Sequence, residues 1–155
     1  MTGSPKYTIL VVDDEEMVRD LIVTLLSRSG HSSITAADGV DALDRMKGNK
    51  IDAVITDIKM PHMDGVALTI EILKRSPGLP ILVMTAFGEE YSAGAAIAAG
   101  AREFIKKPFS PDEFFAQLQK MIKDSETIKQ LRSKEVLDES VQDVMSELEE
   151  TLKES

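Results

Sequence analysis

Four short apolar runs in this chain each end at residues that can bind phosphate or metal. The runs occupy residues 9–12, 53–56, 81–84 and 104–106, and the polar residues that follow them are Asp13 and Asp14, Asp57, Thr85, and Lys107. Unbroken apolar runs of this kind are typical of parallel strands that are buried on both faces. Ligands of open α/β sheets bind beyond the carboxyl ends of the strands. We therefore expect these polar side chains to share one pocket.

Stretches with helical periodicity separate the strands. Residues 15–29 carry apolar side chains at positions typical of an amphipathic helix, namely Met17, Val18, Leu21, Ile22, Leu25 and Leu26. Further helices are predicted at residues 40–47, 66–75 and 89–99 and from Ser110 onward. One further strand is predicted at 32–37, and the fourth apolar run belongs to a strand at 103–106. Asp38, Asp64 and Ser110 are predicted to lie in turns or to cap helices.

Strand and helix alternate five times in these predictions. Parallel strands need long crossover connections, and an α-helix usually supplies them. Crossovers of this kind are right-handed, so each helix packs back onto the sheet. The order of elements therefore predicts an α/β fold of three layers with a five-stranded parallel sheet.

Composition narrows the class of protein. The 155 residues, 43% of them apolar, suit one domain with an appendage. The chain has no cysteine, which excludes disulfides, thiolate nucleophiles and cysteine-bound zinc. The formal net charge of -9 argues against direct binding of nucleic acid by this chain. No stretch of about 18 apolar residues exists to span a membrane, and we expect a cytoplasmic protein.

The predicted pocket has the chemistry of phosphoryl transfer. Carboxylates from Asp13, Asp14 and Asp57 repel one another unless a cation lies between them, and an oxygen-lined site suits Mg²⁺. Lys107 can neutralise a phosphoryl oxygen, and the Thr85 hydroxyl can donate to another. A carboxylate in such a site can itself be the nucleophile and form an aspartyl phosphate.

The motifs that carry these residues resemble the receiver domain of two-component response regulators. The resemblance runs from about residue 7 to residue 123 and rests on the segments Leu10–Glu15, Thr56–Gly65, Met84–Ala86 and Lys106–Phe109. It implies a flavodoxin-like (βα)5 fold with strand order 2-1-3-4-5. It also implies a signalling module that catalyses only its own phosphorylation and dephosphorylation.

The resemblance assigns roles to the carboxylates. Asp57 is implied to accept phosphate from a sensor histidine kinase. Asp14 and Asp57, with the backbone carbonyl of Lys59, are implied to hold Mg²⁺, and Asp13 is implied to bind the ion through water.

The resemblance also implies a switch. Lys107 and Thr85 are implied to bind phosphoryl oxygens, and the peptide bond between Lys107 and Pro108 is implied to be cis. Thr85 is implied to move toward phosphate, and Phe104 to turn inward. The face formed by the fourth helix, the fifth strand and the fifth helix then changes shape, and this face is an expected surface for a downstream effector or for a homodimer.

Two other classes of function share part of this chemistry. A Mg²⁺-dependent phosphatase with an aspartate nucleophile is the alternative, but such enzymes place two acids as Asp-x-Asp after the first strand. Here the first strand ends on adjacent Asp13 and Asp14. A flavin-binding module of similar topology needs a phosphate loop rich in Ser, Thr and Gly at this position, and the acidic run 13–16 repels that ligand.

Residues 125–155 differ in character from residues 7–124, which we predict to be the receiver domain. They carry nine acidic and four basic side chains. The apolar seam that begins at Phe114 is out of register with the seam of Leu137, Val141, Val144, Leu148 and Thr151. We therefore expect the helix to bend, or to stop and restart, near residues 131–135. The tail is predicted to be a dimerising or partner-binding helix or a linker to an effector domain, with a frayed charged tail as the alternative.

Overall fold

Strands and helices alternate along the whole chain. The computed structural model describes the backbone of residues 6–154, and the side chains of this range other than 135–143, 145 and 152–154. The elements are β1 (Thr8–Val12), α1 (Glu16–Arg28), β2 (Ser32–Ala36), α2 (Gly39–Lys47), β3 (Ala53–Asp57), α3 (Gly65–Arg75), β4 (Ile81–Thr85), α4 (Glu90–Ala99), β5 (Glu103–Lys106) and α5 (Pro111–Glu154). The predicted order of elements is confirmed.

The five strands form one parallel sheet in the order β2-β1-β3-β4-β5. This is the order predicted for a receiver fold. Val12 pairs with Thr56, Asp57 with Met84, and Thr85 with Lys106. The carboxyl ends of β1, β3, β4 and β5 therefore lie at the same edge of the sheet.

The central strands supply most of the core. Every residue of β3 and β4 is buried, as is most of β1. Alternate residues of these strands, including Leu10, Val54 and Val83, share one apolar cluster with Leu68 and Ile72 of α3. Residues of the opposite parity, such as Ile9, Ile55 and Leu82, are fully buried as well. Continuous burial on both faces explains why these strands read as unbroken apolar runs.

Polar caps and one close backbone contact fix where helices begin. The side chain of Asp38 accepts a hydrogen bond from the first turn of α2, and that of Asp64 accepts one from the first turn of α3. Ser110 Oγ accepts the N–H of Glu113 at 3.1 Å. These predicted caps are confirmed. Gly65 follows its cap because a Cβ there collides with the backbone oxygen of Asp57.

The apolar stripe of α1 is only partly buried. Ile22, Leu25 and Leu26 belong to the core, but Met17 is 84% exposed and Leu21 is 48% exposed. The stripe is therefore wider than the surface against which α1 packs. Exposed apolar side chains remain on the part of α1 that is close to the carboxyl edge of the sheet.

The chain divides into two compact units, one ending at Met121 and one beginning at Ile122. Helix α5 is assigned without interruption, so the predicted stop and restart near residues 131–135 is wrong. That segment reads Leu-Arg-Ser-Lys-Glu and contains no glycine or proline, so backbone propensity carries the helix through the change of register. The predicted boundary between residues 124 and 125 stays a prediction.

Within the second unit, Val144 and Leu148 are both 56% exposed. The predicted seam residues Leu137 and Val141 lie outside the described side chains. Among the described residues, no helix is both long enough and apolar enough to cross a membrane.

Candidate functional site

The structure brings the predicted polar residues together at the carboxyl edge of the sheet. Asp13 and Asp14 follow β1, Asp57 ends β3, Thr85 ends β4, and Lys107 follows β5. Parallel strands in register deliver these side chains to one place. A solvent-open cavity there is lined by residues at the ends of four strands and in the loops that follow them, namely Asp14, Glu15, Asp57, Lys59, Met60, Pro61, Ala86, Glu89 and Lys107.

Three carboxylates form the acidic part of the site. Asp13, Asp14 and Asp57 each offer an oxygen, and these oxygens lie within 4.8 Å of one another. Asp13 is fully buried and Asp57 nearly so, whereas Asp14 is exposed. Asp13 Oδ1 accepts the N–H of Glu15 at 2.9 Å, and Asp57 Oδ1 accepts the N–H of Ile58 at 2.9 Å. Backbone donors thus orient one oxygen of each buried carboxylate.

Lys107 lies between the two buried carboxylates. Its Nζ is 3.1 Å from Asp13 Oδ2 and 3.2 Å from Asp57 Oδ2. The backbone N–H of Lys107 donates to the backbone oxygen of Thr85 at 2.7 Å. The Lys107–Pro108 peptide is cis, as the resemblance implied. Burial opposes the charge of Lys107, but the Asp57 charge and the contacts with Asp13 prevail and raise its pKa.

The environment of Asp57 disfavours its ionised form. Burial raises the pKa of Asp57 to about 6, and the charge of Asp13 adds to the increase. The ammonium of Lys107 and the hydrogen bond from Ile58 act in the opposite direction. Asp57 is therefore mostly ionised at neutral pH, but it gains a proton far more readily than an exposed aspartate does.

Thr85 is buried between this site and a second cavity. Its hydroxyl lies 3.5 Å from the backbone oxygen of Ile105, which is a long distance for an O–H donor. The second cavity, about 280 Å³, is lined by Thr85, Ala86, Glu90, Ala93, Gly94, Ile97, Phe104 and Lys106. Phe104 is 43% exposed at its rim. The structure thus places the two predicted switch residues against one space.

Lys59 lines the same cavity as Asp14 and Asp57. The residue is exposed and follows the phosphoacceptor candidate by two positions. The role of its carbonyl as a metal ligand stays a prediction.

Two residues of the site were not predicted. Arg19 of α1 donates from Nη1 to the backbone oxygen of Asp13 at 2.7 Å. Glu89 accepts the backbone N–H of Ala86 at 2.7 Å and lines the cavity beside Asp57. No sequence signal marks Arg19, because its partner is a backbone atom. Glu89 could have been found as an acid four residues after the end of β4, a spacing that lets its side chain reach back to the N–H of Ala86 and close the turn.

Comparison with known proteins identifies the family. The family model of the response regulator receiver domain matches residues 9–119. This chain belongs to the response regulator receiver family. Its match includes the loops that carry Asp13, Asp14, Asp57, Thr85 and Lys107.

Relatives of this receiver domain include two curated regulators. It is 37% identical over 118 residues to the alkaline phosphatase synthesis transcriptional regulatory protein PhoP of Bacillus subtilis (strain 168), which covers 76% of this chain and 49% of that protein. It is 38% identical over 115 residues to the response regulator MprA of Mycobacterium sp. (strain KMS), which covers 74% of this chain and 50% of that protein. The chain spans about half the length of these relatives.

Solved structures support the same fold. NtrX from Brucella abortus matches with a TM-score of 0.80 and 34% identity, over 83% of this chain and 29% of that one. The chemotaxis protein CheY4 of Vibrio cholerae matches with a TM-score of 0.71 and 29% identity, over 76% of this chain and 99% of that one. The receiver fold with strand order 2-1-3-4-5 is thereby established for this chain.

Proposed function

We propose that this chain is the phosphoacceptor of a two-component phosphorelay and takes phosphate from a sensor histidine kinase onto Asp57. The observation that carries the proposal is the position of Asp57, a buried carboxylate that shares the Lys107 ammonium with Asp13 at a solvent-open cavity. An ionised oxygen of Asp57 attacks the phosphorus of a phosphohistidine, and the P–N bond breaks. The imidazole leaves with the bonding electron pair and takes up a proton.

Lys107 and Thr85 are the proposed donors to the phosphoryl oxygens. Lys107 already contacts Asp57 and can follow the charge as it moves onto the phosphoryl group. The Thr85 hydroxyl makes only one long contact, so little is lost when it turns to a new acceptor.

The donor set fits Mg²⁺. Asp13, Asp14 and Asp57 supply carboxylate oxygens within 4.8 Å of one another, which is the oxygen chemistry that Mg²⁺ requires. We propose that Asp14, Asp57 and the Lys59 carbonyl bind the ion directly and that Asp13 binds it through water. When bound, the ion compensates the negative charge of carboxylates and phosphoryl group together.

Phosphorylation is proposed to change the surface formed by α4, β5 and α5. The cavity between Thr85 and Phe104 provides room for Phe104 to turn inward after Thr85 moves toward the phosphoryl group. Ile97, which lines this cavity, and Tyr91 of the same helix are exposed, at 41% and 90%. This surface is the proposed contact for a downstream effector or for a second copy of the chain.

A second surface suits the phosphodonor. A groove beside the acidic site is lined by Val18 and Leu21 of α1 and by Lys107, Pro108 and Phe109. Apolar side chains next to the phosphoacceptor can hold a partner helix while its histidine reaches Asp57.

We propose a cytoplasmic location, because that is where such a donor and ATP are found together. We also propose that this chain makes no direct contact with nucleic acid.

Labelling with a small phosphodonor tests the function. Acetyl phosphate with Mg²⁺ is expected to phosphorylate the chain once, and Asp57→Ala is expected to abolish the labelling because it removes the nucleophile. Asp44→Ala is the matched control, since Asp44 is an exposed aspartate on α2. Intact mass and acid-labile phosphate are measured.

Two results would contradict the proposal. Labelling that persists in Asp57→Ala assigns the phosphate to another residue. Repeated turnover of a phosphate ester, without accumulation of phosphoprotein, replaces the receiver function with that of an aspartate-nucleophile phosphatase.

A further inference from the structure

A carboxylate closes the loop between β4 and α4 at the edge of the acidic site. The N–H of Ala86 donates to Glu89 Oε1 at 2.7 Å, and the N–H of Glu89 donates to the oxygen of Ala86 at 3.1 Å. Glu89 is the residue before the first turn of α4, yet its side chain makes no capping bond to that helix. Its carboxylate is used to hold the loop instead.

The Ala86 N–H is also a donor of the proposed phosphorylation site. Ala86 follows Thr85 directly and lines the cavity that contains Asp57 and Lys107. A phosphoryl group on Asp57 brings three oxygens that need donors. The proposed side-chain donors to these oxygens are Lys107 and Thr85, so a backbone N–H at Ala86 is a natural third partner.

We propose that Glu89 is a positioning residue that occupies the Ala86 N–H before phosphorylation and yields it to the phosphoryl group on Asp57. The inference rests on the proposed function and adds a competition to it. One N–H serves a single acceptor well, and a carboxylate and a phosphoryl group in the same cavity repel each other. Glu89 is only half-buried, so its carboxylate can move into water when it leaves.

This competition makes Glu89 a restraint on phosphorylation. The charged hydrogen bond must be broken each time a phosphoryl group takes the Ala86 donor, so Glu89 weakens phosphoryl binding relative to a chain without it. The same contact holds the Thr85–Ala86 segment in its unphosphorylated position. Removal of the side chain should therefore favour the phosphorylated arrangement of the loop.

Titration with beryllium fluoride in the presence of Mg²⁺ tests the inference, because beryllium fluoride is a stable mimic of the phosphoryl group. Glu89→Ala removes both acceptor and charge, and we expect it to tighten binding by about three- to tenfold. Glu89→Gln keeps a neutral acceptor, and we expect a smaller gain. Glu16→Gln removes the same charge from an exposed residue in the first turn of α1 and is expected to leave the affinity unchanged.

A second readout follows the hydrogen bond itself. In the absence of beryllium fluoride, the Ala86 amide proton is expected to resonate upfield in Glu89→Ala relative to the parent chain, because its charged acceptor is gone. Glu16→Gln is expected to leave this resonance in place. Circular dichroism of each variant verifies that the fold is retained.

Three outcomes would overturn the inference. Equal or weaker affinity in Glu89→Ala shows that the Ala86 donor is not contested. An equal gain in Glu16→Gln shows that only the negative charge near the site matters. If the parent chain binds no beryllium fluoride and Asp57 is not labelled, the proposed function fails and the inference fails with it, whereas a labelled Asp57 with unaltered Glu89 variants removes the inference alone.

Discussion

Asp57 lies in surroundings that oppose its own charge. The residue is 6% exposed, a second carboxylate is close by, and Lys107 supplies only partial compensation. Burial and the charge of Asp13 outweigh Lys107 and raise the pKa of Asp57 to about 6. A nucleophile that is ionised at neutral pH yet poorly stabilised in that form is suited to accept a phosphoryl group, because transfer replaces an uncompensated charge with one that finds donors.

The raised pKa has a consequence for stability that Asp57→Asn exposes. The folded protein keeps a proton on Asp57 up to about pH 6, whereas the unfolded chain loses it near the ordinary aspartate pKa of 3.8. The folded state therefore binds more protons in this window, and this group makes stability fall as pH rises through it. Above about pH 6 the loss is complete and constant.

We expect Asp57→Asn to be more stable than the parent chain by about 1–3 kcal/mol at pH 7 in a metal chelator. The gain should shrink as pH falls from 6 and vanish below about 4, where both states of the parent are protonated. Urea unfolding at several pH values measures it. Asp14→Asn, at an exposed carboxylate, should change stability much less. A gain that does not depend on pH would rule out the ionisation of Asp57 as its cause.

At the scale of elements, two glycines have opposite reasons to be present. Gly65 begins α3 where the helix approaches the end of β3, and an added Cβ meets the backbone of Asp57 and Ile58. Gly94 lies on the exposed surface of α4, and an added Cβ meets nothing within 4 Å. The first glycine allows the phosphoacceptor strand and α3 to pack closely. The second leaves α4 less stable than its length allows.

Alanine at the two positions should therefore act in opposite directions. Gly65→Ala is expected to destabilise the protein by about 1–3 kcal/mol, because backbone atoms cannot move aside easily. Gly94→Ala is expected to stabilise it by about 0.5–1 kcal/mol through helix propensity. Thermal and urea unfolding of both variants measure the effects. Equal effects of the two substitutions would show that the contact at Gly65 does not constrain the fold.

At the scale of the whole molecule, the receiver unit and the second unit raise different questions. The first unit, which ends at Met121, contains the core, the match to the receiver family and the candidate site. The second unit is a highly charged helical segment. Val144 and Leu148 are exposed in that unit and lie in the seam that repeats every three or four residues. Exposed apolar seams of this kind are typical of helices that bind another helix.

We expect the full chain to self-associate through this seam. Leu148→Ser should weaken the association, because it removes an apolar side chain from the proposed interface. Leu131→Ser is a matched control, since Leu131 is also 56% exposed but lies outside the seam of residues 137–151. Sedimentation velocity at several concentrations measures both. A monomer at all concentrations, or equal effects of the two variants, would contradict this expectation.

The strand order of the sheet was implied by the resemblance to the receiver family. The sequence pattern itself was sufficient for the order of elements and for the residues at the strand ends. Those features depend on local periodicity and on the rule that parallel strands end at one edge, both of which can be read along the chain. Asp38, Asp64 and Ser110 were predictable as caps for the same reason. The continuity of helix α5 was not predicted. The break in its apolar seam concerns the side chains, and the backbone of that segment needs no break.

Only the tertiary structure decided which side chains meet. Lys107 lies between Asp13 and Asp57 although these residues come from three separate loops, and that contact sets the charge balance of the site. Arg19 joins the site through a backbone oxygen, which carries no signature in the sequence, and only the folded loop shows that Glu89 contacts the Ala86 N–H. Met17 and Leu21 are exposed because the neighbouring elements cover only part of the apolar stripe of α1. The sequence pattern shows the width of the stripe but not how much of it is covered. Local pattern determines the elements of this protein, and packing in three dimensions determines how its charges face one another.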